Sequence, residues 1–400
     1  MSGGRFFYAA GAASLALVVG ACGGQGQSAN RAKPAAPASS TTSRSTTTSG
    51  KVQRRLAPGG PVARSHPRPT HAREPKRAGL RRRHSRGRTL QAQRYLGPAL
   101  CPLTGLPAPG GYVPHRAALA IKVENLPEAR PQWGLDKTDI VFEEPVEGGI
   151  TRFIGVYDCE LPDRVEPVRS ARLVDPQILE PLGRVLFAYS GAIQPVINEV
   201  DAHTSLLEDI GGYKAGEAYW RDPDRYAPHN LATSASALYS AAASLRYPEK
   251  PPVAIFSYGR PVPGGTPAAA VNIGYPLGTT TWTWRPSTGL WYRSYTGSGP
   301  ALQGDGAQLA ASNVVVMLVH EYATQYTEDV LGSHENELTL KGSGPAWVFR
   351  DGAQFYGKWK RPLLDHPTVF YEGNGTRVNL TPGNTWVELV PDGLDISVKP

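Results

Sequence analysis

Between Ala118 and Tyr189 apolar residues come in short runs separated by polar blocks, the spacing of strands rather than of long helices. Ala118–Val123 (ALAIKV), Asp139–Glu143 (DIVFE), Ile150–Tyr157 (ITRFIGVY) and Val185–Tyr189 (VLFAY) are expected as strands, being rich in β-branched and aromatic residues. Helical signals occur in two places. Asp175-Pro176 offers an N-cap acid and a proline at the first helical position, opening a short helix toward Gly183. Thr233 is expected to cap a second helix, with Leu238, Ala242 and Leu245 on one face and Pro248 ending it. Residues 98–247 therefore form a mixed α/β lobe.

After the Pro-rich turn at 248–252 the pattern changes. Val253–Tyr258, Val271–Tyr275, Thr280–Arg285, Leu290–Tyr295, Asn313–His320, Ala346–Arg350, Ala353–Trp359, Thr368–Tyr371, Arg377–Leu380 and Thr385–Val390 are short strand candidates divided by Gly, Pro, Asn and Asp. Asp351-Gly352 marks a hairpin turn, since both residues tolerate positive φ. Residues 253–400 are expected as a mostly antiparallel β lobe, and the whole chain as α+β.

The first 97 residues lack this pattern. Residues 1–22 carry one early Arg, an apolar run of roughly 16 residues and a small-residue end at Cys22, which suits an export signal better than a membrane span. Val19-Gly20-Ala21-Cys22 resembles a bacterial lipobox, in which the Cys is acylated and becomes the new N-terminus; cleavage after Ala21 by an ordinary signal peptidase is the alternative. Residues 23–97 are rich in Ser, Thr, Pro, Ala and Arg and too poor in large apolar side chains to build a core, so they read as a disordered tether. That tether also accounts for the net charge of +8: from Tyr95 to Pro400 there are 24 Lys/Arg against 33 Asp/Glu. An acidic folded region argues against nucleic-acid binding. RRRHSRGR (81–88) is then a solvated linker or a contact with anionic lipid or wall polymer.

Export places Cys101 and Cys159, the only cysteines besides Cys22, where disulfides persist, and they are expected to pair; two buried thiols are the alternative. The bond would close a loop of about 58 residues, worth up to roughly 4 kcal/mol.

Common catalytic signatures are missing. No HExxH, GxSxG or GxxxxGK[ST] occurs, and a catalytic Cys is excluded if Cys22 is acylated and the others are paired. Asp201, His203, His229 and His320 lack metal-ligand spacing, and no metal or cofactor is expected. The positive signal is a set of polar blocks at strand ends and turns: Arg130 with Gln132, Glu147 with Arg152, Arg169 with Arg172, Trp220-Arg221-Asp222 and His229-Asn230. Arginine forks grip carboxylates or phosphates bidentately, and the amides of Gly148-Gly149 allow close approach. Two readings stand side by side: a ligand site, and an ion-pair network in which Glu143, Glu147 and Asp222 neutralise those arginines. Enzymatic action would use Glu147 or Asp222 as acid/base with His229 as relay. A third reading is an assembly scaffold with an apolar patch rimmed by Trp282, Trp284 and Trp291.

PLTG (102–105), ARPQWGLDKTDIVFEEPVEGGITRF (129–153), PVRSAR (167–172), YWRD (219–222), APHNL (227–231), NVVV (313–316), GSGPAWVF (342–349) and PGNTW (382–386) closely resemble the YerB-like lipoproteins, built on domain of unknown function 3048. The resemblance spans nearly everything from Cys101 to Val390. It implies an exported, usually lipid-anchored envelope protein with two adjacent domains; that location, on the outer face of the cell membrane, makes peptidoglycan or another envelope protein the expected partner. It implies no reaction.

Overall fold

The computed structural model describes residues 98–400, apart from 204–206, 210–213, 248, 261–262 and 329–331, and these fall within the compact unit Thr89–Pro400. The segment 1–22 with Cys22 and the whole 23–97 linker lie outside the described residues.

In chain order the first segment contains β1 (Ala118–Glu124), β2 (Ile140–Pro145), β3 (Thr151–Tyr157), α1 (Asp175–Leu179), β4 (Val185–Ala188), α2 (Gln194–Ala202), β5 (Leu207–Asp209), β6 (Tyr219–Arg221), β7 (Leu231–Thr233) and α3 (Ala235–Ser244). The second contains β8 (Thr266–Pro267), β9 (Ala270–Tyr275), β10 (Gly278–Arg285), β11 (Leu290–Tyr295), β12 (Gly299–Pro300), β13 (Ala310–Ala311) and β14 (Asn313–Val319). It ends with β15 (Glu321–Thr327), β16 (His334–Leu338), β17 (Gly342–Arg350), β18 (Ala353–Arg361), β19 (Val369–Glu372), β20 (Thr385–Pro391) and β21 (Ile396–Lys399). Among the described residues strand accounts for 42% and helix for 15%, so the architecture is α+β with β dominant.

Strands of both segments join in one eleven-stranded mixed sheet, ordered β19-β18-β17-β14-β20-β2-β3-β1-β4-β5 with β8 beside β18. The junction is β2 with β20, parallel, in the register Ile140↔Thr385 to Glu143↔Glu388. β14 and β20 are also parallel, an exception within the otherwise antiparallel second segment. A six-stranded antiparallel sheet, β12-β11-β10-β9-β21 with β13 beside β11, forms another layer.

Strand alternation distributes the core to both faces of the large sheet. Ala120, Phe142, Ile154, Val315 and Leu389 meet Ile178 of α1 and Val196 of α2 on one side. Ile121, Val141, Phe153, Val316 and Trp386 meet Leu238 of α3 and Trp282 and Trp291 of the smaller sheet on the other. Because both faces are covered, β1, β2 and β3 are buried along their whole length. Between the sheets Arg293 donates to Glu388 at 2.9 Å and to Glu143 at 2.7 Å, while Trp282 Nε1 donates to Glu388 at 2.7 Å. Burial and the neighbouring Glu143 push Glu388 well above the carboxylate range. Burial alone would raise Glu143 too, but Arg293 holds it low.

The Cys101–Cys159 bond is formed and ties the start of the described chain to the end of β3. The Asp351-Gly352 turn is also as expected, with φ of 50° and 72° and Arg350 opposite Ala353. Several local expectations are corrected. Val253–Tyr258 and Arg377–Leu380 are not strands: they touch through an isolated Tyr258–Leu380 bridge, Arg377 adds a second isolated bridge to Tyr371, and neither segment forms a ladder along its length. Asp175 does not cap α1. Val174 occupies that position, and the Asp175 carboxylate instead takes the Lys122 ammonium at 2.6 Å and the Arg172 amide at 2.7 Å. Ser234 rather than Thr233 caps α3, accepting from the Ala237 amide, because the Thr233 hydroxyl is committed to the Ala218 carbonyl. Leu245 lies past the end of that helix and is exposed. Helix α2 and the β15–β16 hairpin have no counterpart in the sequence reading.

Candidate functional site

The C-terminal end of β1 and the N-terminal end of β3 meet in register, Glu124 opposite Arg152. The non-helical segment 165–172 runs beside them, with the Arg169 amide on the Lys122 carbonyl and the Glu124 amide on the Pro167 carbonyl. This arrangement sorts the expected residues into two groups.

The first group is closed. The Arg172 side chain is 3% exposed and donates through Nε to Glu147 Oε2 at 2.8 Å; its Nη1 lies 2.7 Å from Glu328, and Glu335 sits 3.3 Å from Nε. Arg152, also buried, donates to Glu147 at 2.9 Å. Glu328 and Glu335 come from the β15–β16 hairpin, and Glu335 also accepts from the Leu173 amide at 2.9 Å. Burial works against ionisation of Glu147, but Arg152 and Arg172 more than offset it and hold its carboxyl low. Glu335 goes the other way: burial pushes it up to about 8, with Arg172 opposing. Glu147, Glu328 and Glu335 bring oxygens within 4.8 Å of one another, the geometry of a metal-ligand set. Two guanidinium groups already occupy those oxygens, so the charge a cation would meet is largely neutralised.

The second group is open. Glu124, buried at the strand end, lies 3.0 Å from Arg169 Nε through one oxygen and 3.0 Å from His229 Nδ1 through the other. Yet the Arg169 and His229 side chains keep 26% and 22% of their surface in solvent. Gln132 donates to the Glu124 carbonyl at 3.0 Å and Arg130 to the Asn125 carbonyl at 2.8 Å. The Arg130 guanidinium stacks on Tyr295, 3.5 Å from the ring centroid. Beside them a cleft of about 80 Å³ opens, lined by Asn125, Arg130, Glu143, Gly149, Thr151 and Tyr295 among others. At its floor Asn125 donates to Thr151 at 2.8 Å and Thr151 to Glu143 at 2.6 Å.

The remaining residues brace the open group. Asp222 pairs with Arg164, and its backbone amide donates to the Asn230 carbonyl at 2.8 Å. Arg221 donates to the Asn230 side chain at 2.9 Å. Arg225 reaches across to the Ala129 carbonyl at 2.6 Å, fastening the loop that carries His229 to the segment that carries Arg130 and Gln132. Trp220 is 41% exposed on β6.

Part of the expected network is therefore redrawn. Glu147 neutralises Arg152 and Arg172, but Asp222 serves Arg164 and Glu143 serves Arg293. The carboxylate facing His229 is Glu124, not Glu147 or Asp222. His203 and His320 pair separately with Glu199 and Asp392. Of the three tryptophans expected to rim an apolar patch, Trp282 and Trp291 are fully buried between the sheets and Trp284 is half-buried against Trp291. Glu124 and Asn125 escaped the sequence reading although they end an apolar strand just before Arg130, a usable signal. Glu328, Glu335 and Tyr295 had none, since nothing local ties them to the site.

A two-segment α+β chain with this polar strand-end face belongs to the family described as "Protein of unknown function (DUF3048)": its N-terminal domain matches residues 103–248 and its C-terminal domain residues 271–387. The chain is 26% identical over 298 residues to "Putative lipoprotein YerB" of Bacillus subtilis (strain 168), covering 73% of this chain and 86% of that protein. The crystal structure of YerB protein from Bacillus subtilis superposes with a TM-score of 0.62 at 24% identity, over 75% of this chain and 99% of the other. That likeness extends to the fold.

Proposed function

We propose that this protein is an exported envelope lipoprotein, anchored through Cys22 to the outer face of the cell membrane, that binds a polar or anionic ligand at the open Glu124 face. A cell-wall fragment or a protein partner fits that location, whereas the acidic folded region disfavours nucleic acid. The observation that carries the reading is the pairing of Arg169 and His229 on one buried carboxylate while both stay about a quarter exposed. Such groups are held in place before a ligand arrives, so little side-chain entropy is lost on binding. Arg152 and Arg172 are excluded from this role by burial and by partners already in place.

A second reading is acid–base action on the bound ligand. It is favoured by His229, whose Nδ1 is engaged by Glu124 so that Nε2 is the nitrogen left for proton transfer.

The test is the melting temperature of the full chain against muropeptides, phosphorylated sugars and simple anions, for wild type and Arg169→Ala. A compound that raises the melting temperature of wild type and not of the folded variant supports the site. Equal responses from both proteins refute it.

A further inference from the structure

With 24 basic against 33 acidic residues from Tyr95 onward, a surface on which basic residues outnumber acids is an exception on this fold. β17, β18 and β19 carry one. Alternation sends Ala346, Val348, Phe355, Trp359 and Phe370 into the core on the helix side of the large sheet. Trp347, Tyr356, Lys358, Lys360 and Tyr371 therefore project from the opposite face. The smaller sheet covers that face as far as Phe349, which packs edge-on against Trp291 at 5.5 Å. Beyond it the face is open: Tyr356 is 57% exposed, Lys358 and Lys360 are exposed, and Trp347 and Tyr371 are half-buried.

The register organises these side chains. Trp347 lies opposite Tyr356 with ring centroids 4.7 Å apart, and Lys358 lies opposite Tyr371. Lys360 Nζ sits 5.3 Å from the centre of the Tyr371 ring. A groove of about 460 Å³ continues from there past the sheet edge, lined by Ser343, Lys360, His366, Tyr371 and Arg377 among others. The one acid in the three strands, Glu372, is buried.

We propose that this face binds an acidic polysaccharide, its sugar rings stacked on Trp347, Tyr356 and Tyr371 and its anionic groups met by Lys358, Lys360 and Arg377. Aromatic faces attract the polarised C–H groups of flat rings, and a cation beside each ring selects a ligand that also carries negative charge. The charge pattern is complementary: cations interleave with rings on the strands, and the exposed acid beside the groove, Asp365, is paired with His366 at 2.7 Å. A protein partner fits less well, because interface centres are depleted in lysine and other charges, whereas Lys358 and Lys360 stand between the rings here. The site shares no residue with the Glu124 face and stands whether or not that reading holds.

The experiment is affinity electrophoresis of the full chain in native gels containing hyaluronate, a neutral hydroxyethyl cellulose or poly-L-glutamate. Wild type is compared with Tyr356→Ala and with Lys358→Gln/Lys360→Gln. All three proteins carry the same basic linker, so differences between them report on the sheet face. Each substitution is at an exposed position and is expected to leave the melting temperature unchanged. The expected result is hyaluronate retardation weakened by about tenfold in apparent affinity in both variants. Unchanged retardation in either variant overturns the proposal. So does retardation of wild type by the neutral polymer equal to that by hyaluronate. Poly-L-glutamate retardation that is as strong as that by hyaluronate and equally lost in Tyr356→Ala would show that an acidic polypeptide is the occupant, and would overturn it too.

Discussion

Arg169 and Arg172 lie three residues apart in one motif and end in opposite environments. Arg172 is 3% exposed and surrounded by Glu147, Glu328 and Glu335; Arg169 shares a single carboxylate with His229 and keeps 26% of its side chain in solvent. An odd separation in an extended segment sends the two side chains to different sides. On one side the β15–β16 hairpin closes over the arginine, and on the other nothing among the described residues does. The same residue type in the same motif is thus closed over as a structural tie in one place and left part-exposed in the other.

The largest expected effect comes from breaking the closed side. Arg172→Ala leaves Glu328 and Glu335 without their cation and Glu147 with Arg152 alone, and is expected to cost about 3–5 kcal/mol in urea unfolding. A loss below about 1 kcal/mol would place Arg172 in the same class as Arg169 and erase the contrast.

A pH series sharpens the comparison. Glu335 has its carboxyl raised from 4.5 to about 8, so the folded protein holds a proton that the unfolded chain has released. This contribution is fully present below about pH 4.5 and is lost as pH rises toward 8. Glu335→Gln keeps the acceptor for the Leu173 amide and removes the titration. Its stability is expected to fall less steeply with pH than that of wild type in this window, by up to about 1.4 kcal/mol per pH unit. Parallel curves for the two proteins would show that Glu335 is ionised in the cluster.

Smaller effects belong to the open side. Arg169→Ala removes one of two partners of a buried carboxylate that retains His229, and about 1–2 kcal/mol is expected by denaturant titration. Trp220→Ala, at a position 41% exposed, should stay within about 0.5 kcal/mol. If Trp220→Ala proved as costly as Arg172→Ala, the loop at 219–230 would be part of the core rather than a brace for His229.

The readings that succeeded rest on short-range chemistry. Asp351-Gly352 makes a hairpin turn because two adjacent residues accept positive φ, and ALAIKV makes a strand because its apolar run has the length and side chains of one. Those that failed needed a distant partner. Val253–Tyr258 has the composition of a strand, but its backbone bonds go to Leu182 and Leu380 singly, so no ladder forms. Thr233 is as good a capping residue as Ser234, and the choice was made by the Ala218 carbonyl. The polar blocks of the site were legible as a group because strand ends gather charged and small residues. Which arginines face water was not.

By itself the sequence determined most of the longer strands, the Asp351-Gly352 turn, and that Arg130, Gln132, Arg169 and His229 belong to one polar region. Tertiary structure decided the rest: the parallel junction of β2 with β20, the burial of Trp282 and Trp291, and the closing of Glu328 and Glu335 over Arg172. Local preference follows from neighbouring residues, which a sequence displays. Burial follows from partners some 100 to 250 positions away, and the dielectric they create determines whether a charged side chain becomes a strut or a binding group.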